Sequence, residues 1–107
     1  MATIVLVDGH EMLRRLMREL LADEMGLKVV GEAADGKQGL RLVEEYRPDI
    51  LVTGLILDGI SGIDLVRQGR TRAPQTKTVI LSMLSESVYV ERAFEEGYGS
   101  SSVVRHF

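Results

Sequence analysis

The chain is expected to fold as a doubly wound α/β domain, a parallel sheet with helices on both faces. Two observations point to this. Short β-branched runs of strand length recur along the chain, each closed by turn-forming residues, and amphipathic stretches of helical period separate them. A parallel crossover needs a covering helix, so this alternation implies parallel strands rather than hairpins.

Thr3 to Val7 is the first such run, a buried strand bounded by Asp8 and Gly9. Met12, Leu13, Leu16, Met17, Leu20 and Leu21 then recur at spacings of three and four, with Arg14, Arg15, Arg18 and Glu19 between them, and predict an amphipathic helix ending at Gly26. Leu27 to Ala33 reads as the second strand and Asp35-Gly36 as a turn. Leu40 and Val43 form the apolar stripe of a second helix that stops before Pro48. Asp49 to Leu55 carries the third strand, followed by a loop with Gly59, Ser61 and Gly62 and a helix from about Ile63 to Arg72. Thr78 to Ser82 is the fourth strand, and Glu86 to Glu96 a fourth helix with Val90, Ala93 and Phe94 on one face. The sheet is expected to have five strands, or four if the last ten residues do not form one.

Composition narrows the function classes. At 107 residues, with 45% apolar and 27% charged residues, residues 1–107 have room for a single domain with one core. The absence of cysteine excludes disulfides, thiolate metal sites and a cysteine nucleophile. The N-terminus has neither the basic start of a signal peptide nor an apolar stretch long enough for a membrane span, so the expected location is the cytoplasm. A net charge of −3 gives no reason for direct nucleic-acid binding. Arg14, Arg15 and Arg18 read as a solvated helix face.

In open sheets of this kind ligands sit beyond the carboxyl ends of the strands, near the switch in strand order. Four places are therefore the candidates: Asp8 and Gly9, Gly54 to Gly62, Ser82, and the residues after Gly97. At these places the sequence resembles the receiver domains of two-component response regulators, most closely the NarL type. Val5-Leu6-Val7-Asp8-Gly9-His10 resembles the family's first strand, which ends in two acidic residues and a histidine. Val29-Val30-Gly31-Glu32-Ala33 with Asp35-Gly36 is similar to its second strand and turn, and Arg47-Pro48-Asp49-Ile50-Leu51-Val52 to the approach to the phosphorylation site. Gly59-Ile60-Ser61-Gly62 and Val79-Ile80-Leu81-Ser82 resemble the loop behind that site and the strand ending in a phosphate-sensing hydroxyl. The resemblance implies the flavodoxin-like receiver fold. It also implies phosphoryl transfer from a kinase histidine to an aspartate, with magnesium held by carboxylates and a lysine binding the product phosphate.

The departures fall on those same parts. The resemblance places Gly54 at the phosphoacceptor aspartate and Gly9 at the second acidic residue of the pocket, leaving Asp8 as its remnant. Asp58 stands where the family usually has proline. A gap-free reading puts Val104 at the phosphate-binding lysine and Arg105 one place beyond. Another reading takes Ser100, Ser101 and Ser102 as the cap of a fifth helix with Val103, Val104 and Phe107 inside it, which removes the fifth strand. On either, the chain stops short of a full fifth helix, and a sheet edge left without its strand would favour dimerisation.

Each residue also has a plainer reading. Ser82 without an acceptor is a strand-end hydroxyl bonding to nearby backbone. Asp8 and Asp58 on separate loops read as solvated turn residues, so no tight metal and no other cofactor is expected, and any magnesium would be held weakly. His10 caps or faces solvent at the start of the first helix. Gly69 interrupts the third helix, at a cost of about 1 kcal/mol, and is expected to loosen it. Met12, Met17, Met25 and Met83 read as core filler. The leading expectation is a phosphorylation-independent, non-enzymatic receiver that works through protein contacts. These would be a homodimer or control of a C-terminal helix-turn-helix effector outside this chain, on a surface around the fourth helix. The loss of the acceptor argues against a sensor histidine kinase as partner. The alternatives are phosphotransfer to a substitute carboxylate such as Asp58, or a small anion or metabolite bound in the space left by Gly9 and Gly54.

Overall fold

Buried β-branched runs favour the extended conformation, and an extended segment can satisfy its backbone groups away from water only by pairing with neighbouring strands. In the computed structural model, which describes residues 1–55, 57–82 and 102–106, they form one parallel sheet in the order β2-β1-β3-β4-β5. Its strands are β1 (Thr3–Val7), β2 (Lys28–Ala33), β3 (Ile50–Gly54), β4 (Lys77–Ser82) and β5 (Ser102–His106). The helices are α1 (Glu11–Glu19), α2 (Gly36–Tyr46) and α3 (Gly62–Arg72). One irregularity interrupts the pairing of β1 with β2, where Ile4 faces Val29 but Val5 faces Gly31.

The faces of the sheet follow from period-two alternation. Val5, Val7 and Leu51 point to one side and pack under Leu40, Val43 and Leu65 of α2 and α3. Ile4, Leu6, Val52 and Leu81 point to the other, where Met17 and Leu21 close over them. Close approach of α2 to β1 requires Gly39, because a Cβ there would lie 2.7 Å from a methyl of Val7.

The helix ends obey local chemistry. Asp35 and Ser61 cap α2 and α3 by accepting the backbone N–H groups of Gln38 and Asp64. Arg47 ends α2 in the left-handed conformation, φ 42°, and its N–H returns to the Val43 carbonyl just before Pro48.

Four expectations are corrected. The fifth strand is present: β5 pairs in parallel with β4, from Thr78 opposite Ser102 to Ser82 opposite His106, so the four-stranded alternative and the placing of Ser102, Val103 and Val104 in a helix do not hold. The first helix does not run evenly to Gly26 but passes at Leu20–Glu24 into a single π-helical turn. Gly69 does not break α3, which continues through it to Arg72 with Gly69 buried beside Val43. Met12 and Met25 are not core filler, being 70% and 61% exposed, whereas Met17 does pack against the core. The predicted fourth helix at 86–96, Met83, Ser100, Ser101 and Phe107 lie outside the described residues.

Candidate functional site

The strand order reverses direction between β1 and β3: the chain leaves β1 for β2 on one side and later returns to β3 on the other. The carboxyl ends of these two central strands therefore open on the crevice where doubly wound folds place their ligands. Asp8 follows β1 there, and Gly54 ends β3.

Asp8 is only 6% exposed, so it is not the solvated turn residue expected from its Asp-Gly context. Its own N–H continues the sheet by donating to the Ala33 carbonyl at 3.1 Å. Its carboxylate accepts the His10 N–H at 2.7 Å through Oδ1, turning the chain from β1 into α1. The His10 imidazole stands 3.5 Å from the same oxygen, exposed to solvent, and makes no side-chain cap. The other carboxylate oxygen leans across the mouth of β3: a Cβ built on Gly54 would lie 3.0 Å from Asp8 Oδ2. Asp8 and Gly54 thus face each other directly. Gly9 is exposed, and a Cβ there would meet only the Ala34 carbonyl oxygen at 3.6 Å, so the backbone leaves room for a side chain at that position.

Asp58 goes elsewhere. It is exposed and bridged through its backbone to Asp35, with its carbonyl accepting the Gly36 N–H at the start of α2. No hydrogen bond joins it to Asp8, and among the described residues no three acidic or histidine side chains gather as a metal would require. Ser82 ends β4, next to β3, with Leu81 opposite Gly54. On β5, Val104 lies opposite Ile80 and Arg105 opposite Leu81. The side chains of Ser82, Val104 and Arg105 are outside the described part of the structure.

One constellation was not anticipated. Arg14 and Arg18, one turn apart on α1, both reach Glu32 on β2, at 3.4 and 2.8 Å, and Arg14 also donates to the Asp8 carbonyl at 2.6 Å. The Glu32 carboxylate, by hydrogen bond and then by charge, raises the Arg18 guanidinium above its ordinary value. Two of the three arginines read as a solvated cluster are therefore struts that fix how α1 sits on the sheet. The signal available in the sequence was the four-residue spacing of the two arginines together with an acidic residue inside a strand.

Residues 4–100 match the response regulator receiver domain model. The chain belongs to the response-regulator receiver family. Among curated proteins, this receiver is 32% identical over 97 residues to the response regulator protein VraR of Staphylococcus aureus, covering 91% of the chain and 46% of VraR. It is 31% identical to the transcriptional regulatory protein LiaR of Bacillus subtilis, again over 91% of the chain and 46% of LiaR. The receiver thus spans about half the length of these relatives. Among solved structures, a LuxR-family two-component response regulator from Aurantimonas sp. SI85-9A1 is similar with a TM-score of 0.84 and 36% identity, over 98% of this chain and 73% of that one. The receiver domain of the response regulator NarL from Mycobacterium tuberculosis shares the fold, with a TM-score of 0.84 at 24% identity over 96% of this chain and 82% of that one. The chain is accordingly a receiver domain of a two-component response regulator of the LuxR family. Its relatives are signalling and transcription regulators, and no helix among the described residues is long and apolar enough to cross a membrane.

Proposed function

We propose that this receiver works by protein contacts and accepts no phosphoryl group. One observation carries the reading: the carboxylate of Asp8 faces a glycine, Gly54, across the ends of β1 and β3. A hydrogen atom is no nucleophile, and Asp8, turned toward α1 by its bond to the His10 N–H, already serves the backbone. With Gly9 beside it, the crevice holds one carboxylate where magnesium binding calls for several oxygen ligands, so no cation is part of the working state. Asp58, exposed and tied to the start of α2, is poorly placed to substitute. A small anion is disfavoured for another reason, since Asp8 Oδ2 leans into the space that the anion would enter.

By analogy with relatives that are transcriptional regulators, the domain controls a DNA-binding effector beyond this chain, in the cytoplasm and as a homodimer, without needing a histidine kinase. Incubation with acetyl phosphate and magnesium followed by intact-mass measurement tests the central point. The expected result is no mass gain. A gain of one phosphoryl group that disappears in Asp58→Ala would overturn the reading in favour of a substitute acceptor.

A further inference from the structure

α2 and α3 lie side by side over one face of the sheet, with Gly69 of α3 beside Val43 of α2. A depression of about 510 Å³ opens between their outer faces, lined chiefly by Lys37, Leu40, Arg41, Ile60, Gln68 and Arg72. Both of its ends are fixed. At the start of α2, Ile60 is wedged so tightly against Gly36 that no Cβ fits there. At the other end the Arg72–Glu44 ion pair bridges the two helices. The floor is apolar, formed by buried Leu40 and half-buried Ile60. On the rim Lys37 and Arg41 stand one helical turn apart, both exposed. Among the described residues neither has a hydrogen bond or an ion pair, whereas Arg14, Arg18, Arg67 and Arg72 each hold a carboxylate. α2 sits over β1 and β2, with Gly39 against Val7 and Leu42 against Gly31. β4 and β5, where the described chain breaks off after Ser82 and resumes at Ser102, lie across β3 from those strands.

We infer that this depression docks an acidic helical segment of a partner protein, with one apolar side chain seated on Leu40 and Ile60 and two carboxylates paired with Lys37 and Arg41. Charge complementarity selects this occupant. The rim offers two cations without carboxylate partners among the described residues, and its one carboxylate, Glu44, is already engaged by Arg72. The apolar floor sets the site apart from one for nucleic acid, whose backbone presents charge without an aliphatic anchor. A helix lying along α2 repeats every turn at the same pitch, so carboxylates four residues apart on the partner match Lys37 and Arg41. Exposed ion pairs of this kind are individually weak. The apolar anchor therefore carries the affinity, and the charges decide which segment is taken. This site deepens the contact-module reading by naming the face and the chemistry of the partner, and it rests on that reading.

The probe is a fluorescein-labelled, alanine-rich helical peptide with a central leucine and two glutamates four residues apart, read by fluorescence anisotropy. Binding is expected. Lys37→Gln and Arg41→Gln together should raise the dissociation constant at least ten-fold with the melting temperature unchanged. Lys28→Gln, which removes an exposed cation on β2, should leave it unaltered. Exchanging the peptide's glutamates for glutamine, or its leucine for alanine, should each weaken binding several-fold. No binding, binding indifferent to the double variant, or an equal loss in Lys28→Gln overturns the inference. The depression must also be open in the unbound protein. The chain has no cysteine, so Arg41→Cys supplies a single thiol on the rim, expected to react with a water-soluble aromatic disulfide as fast as Gln75→Cys, at an exposed site between α3 and β4. A protected thiol at position 41 overturns the inference, since the chain itself would then cover the rim. The acetyl phosphate assay reads independently of all these. A phosphorylated protein that binds the peptide would sink the phosphorylation-independent reading alone, and an unphosphorylated one that does not bind would sink the docking site alone.

Discussion

Placing an acidic residue at Gly54 is the sharpest test of the site's geometry. The new Cβ would sit 3.0 Å from Asp8 Oδ2, and the new carboxylate would have to share a crevice with a carboxylate that is 6% exposed. Two unit charges about 4 Å apart repel by about 4 kcal/mol at an effective dielectric near 20. The fold can escape this repulsion by protonating one carboxyl. For an ordinary aspartate, titrating near about 3.9, that escape costs about 1.4 kcal/mol per pH unit above the pKa, or about 5 kcal/mol at about pH 7.5 and about 1.5 at about pH 5. The repulsion of about 4 kcal/mol is therefore felt in full at the higher pH and capped near 1.5 at the lower. The sign follows from linkage. A carboxyl with a raised folded-state pKa binds more protons folded than unfolded, so stability falls as pH rises between the two values. Gly54→Asn has the same shape without the charge and isolates the steric part. In urea denaturation, Gly54→Asp should be less stable than Gly54→Asn by about 4 kcal/mol at about pH 7.5 and by no more than about 1.5 at about pH 5. Equal stabilities at both pH values, or a gap that widens on acidification, would show that Asp8 and residue 54 do not face each other.

Three further substitutions probe the packing around the site. Gly69→Ala places a methyl 3.8 Å from Val43 Cγ1 without a clash and restores helix propensity, so α3 should gain about 1 kcal/mol, seen as a rise in urea midpoint with unchanged slope. Gly62→Ala should cost at least about 3 kcal/mol, because its Cβ would run into the Gly54 carbonyl oxygen, a backbone atom that cannot step aside. Glu32→Gln removes the charge that holds Arg14 and Arg18, and the partly exposed pairs make its cost about 1 kcal/mol or less; the loss should shrink further in high salt, as measured by melting with and without added sodium chloride.

Strand positions were legible because burial on both faces of a parallel sheet writes continuous apolar runs such as Ile4 to Val7 and Ile50 to Val52. The rotation of α1 was not. Its apolar residues span so wide an arc that the periodicity is satisfied with either Met12 or Met17 inside, and the choice is made by Arg14 and Arg18 reaching a strand residue fourteen or more positions away. Gly69 was misjudged for a related reason: propensity prices the missing side chain, but the closeness of α2, with Val43 beside it, is a tertiary fact. Among the site residues, Asp8 and Gly54 were legible as the residues at the ends of the first and third strands, and the strand order sets those two ends side by side. The burial of Asp8 was missed because Asp-Gly after a strand is the ordinary composition of an exposed turn. Asp58 was free to pair with anything while only its loop was known, and its bridge to Asp35 is a contact across more than twenty residues.

The buried carboxylate of Asp8 bears on what this crevice can hold. An isolated ionised carboxylate loses much of its hydration on burial, and it persists only where donors replace the lost water. Here the donors come from the protein: the His10 N–H at 2.7 Å, and the first turn of α1, whose unpaired N–H groups give the helix start a partial positive charge. Arg14 adds a full charge nearby through its bond to the Asp8 carbonyl. A carboxylate added at position 54 would face Asp8 Oδ2 directly and would have to share these same donors. Arg14 thus joins the crevice to the helix: it binds the Asp8 carbonyl at one end and, together with Arg18, holds α1 to Glu32 at the other.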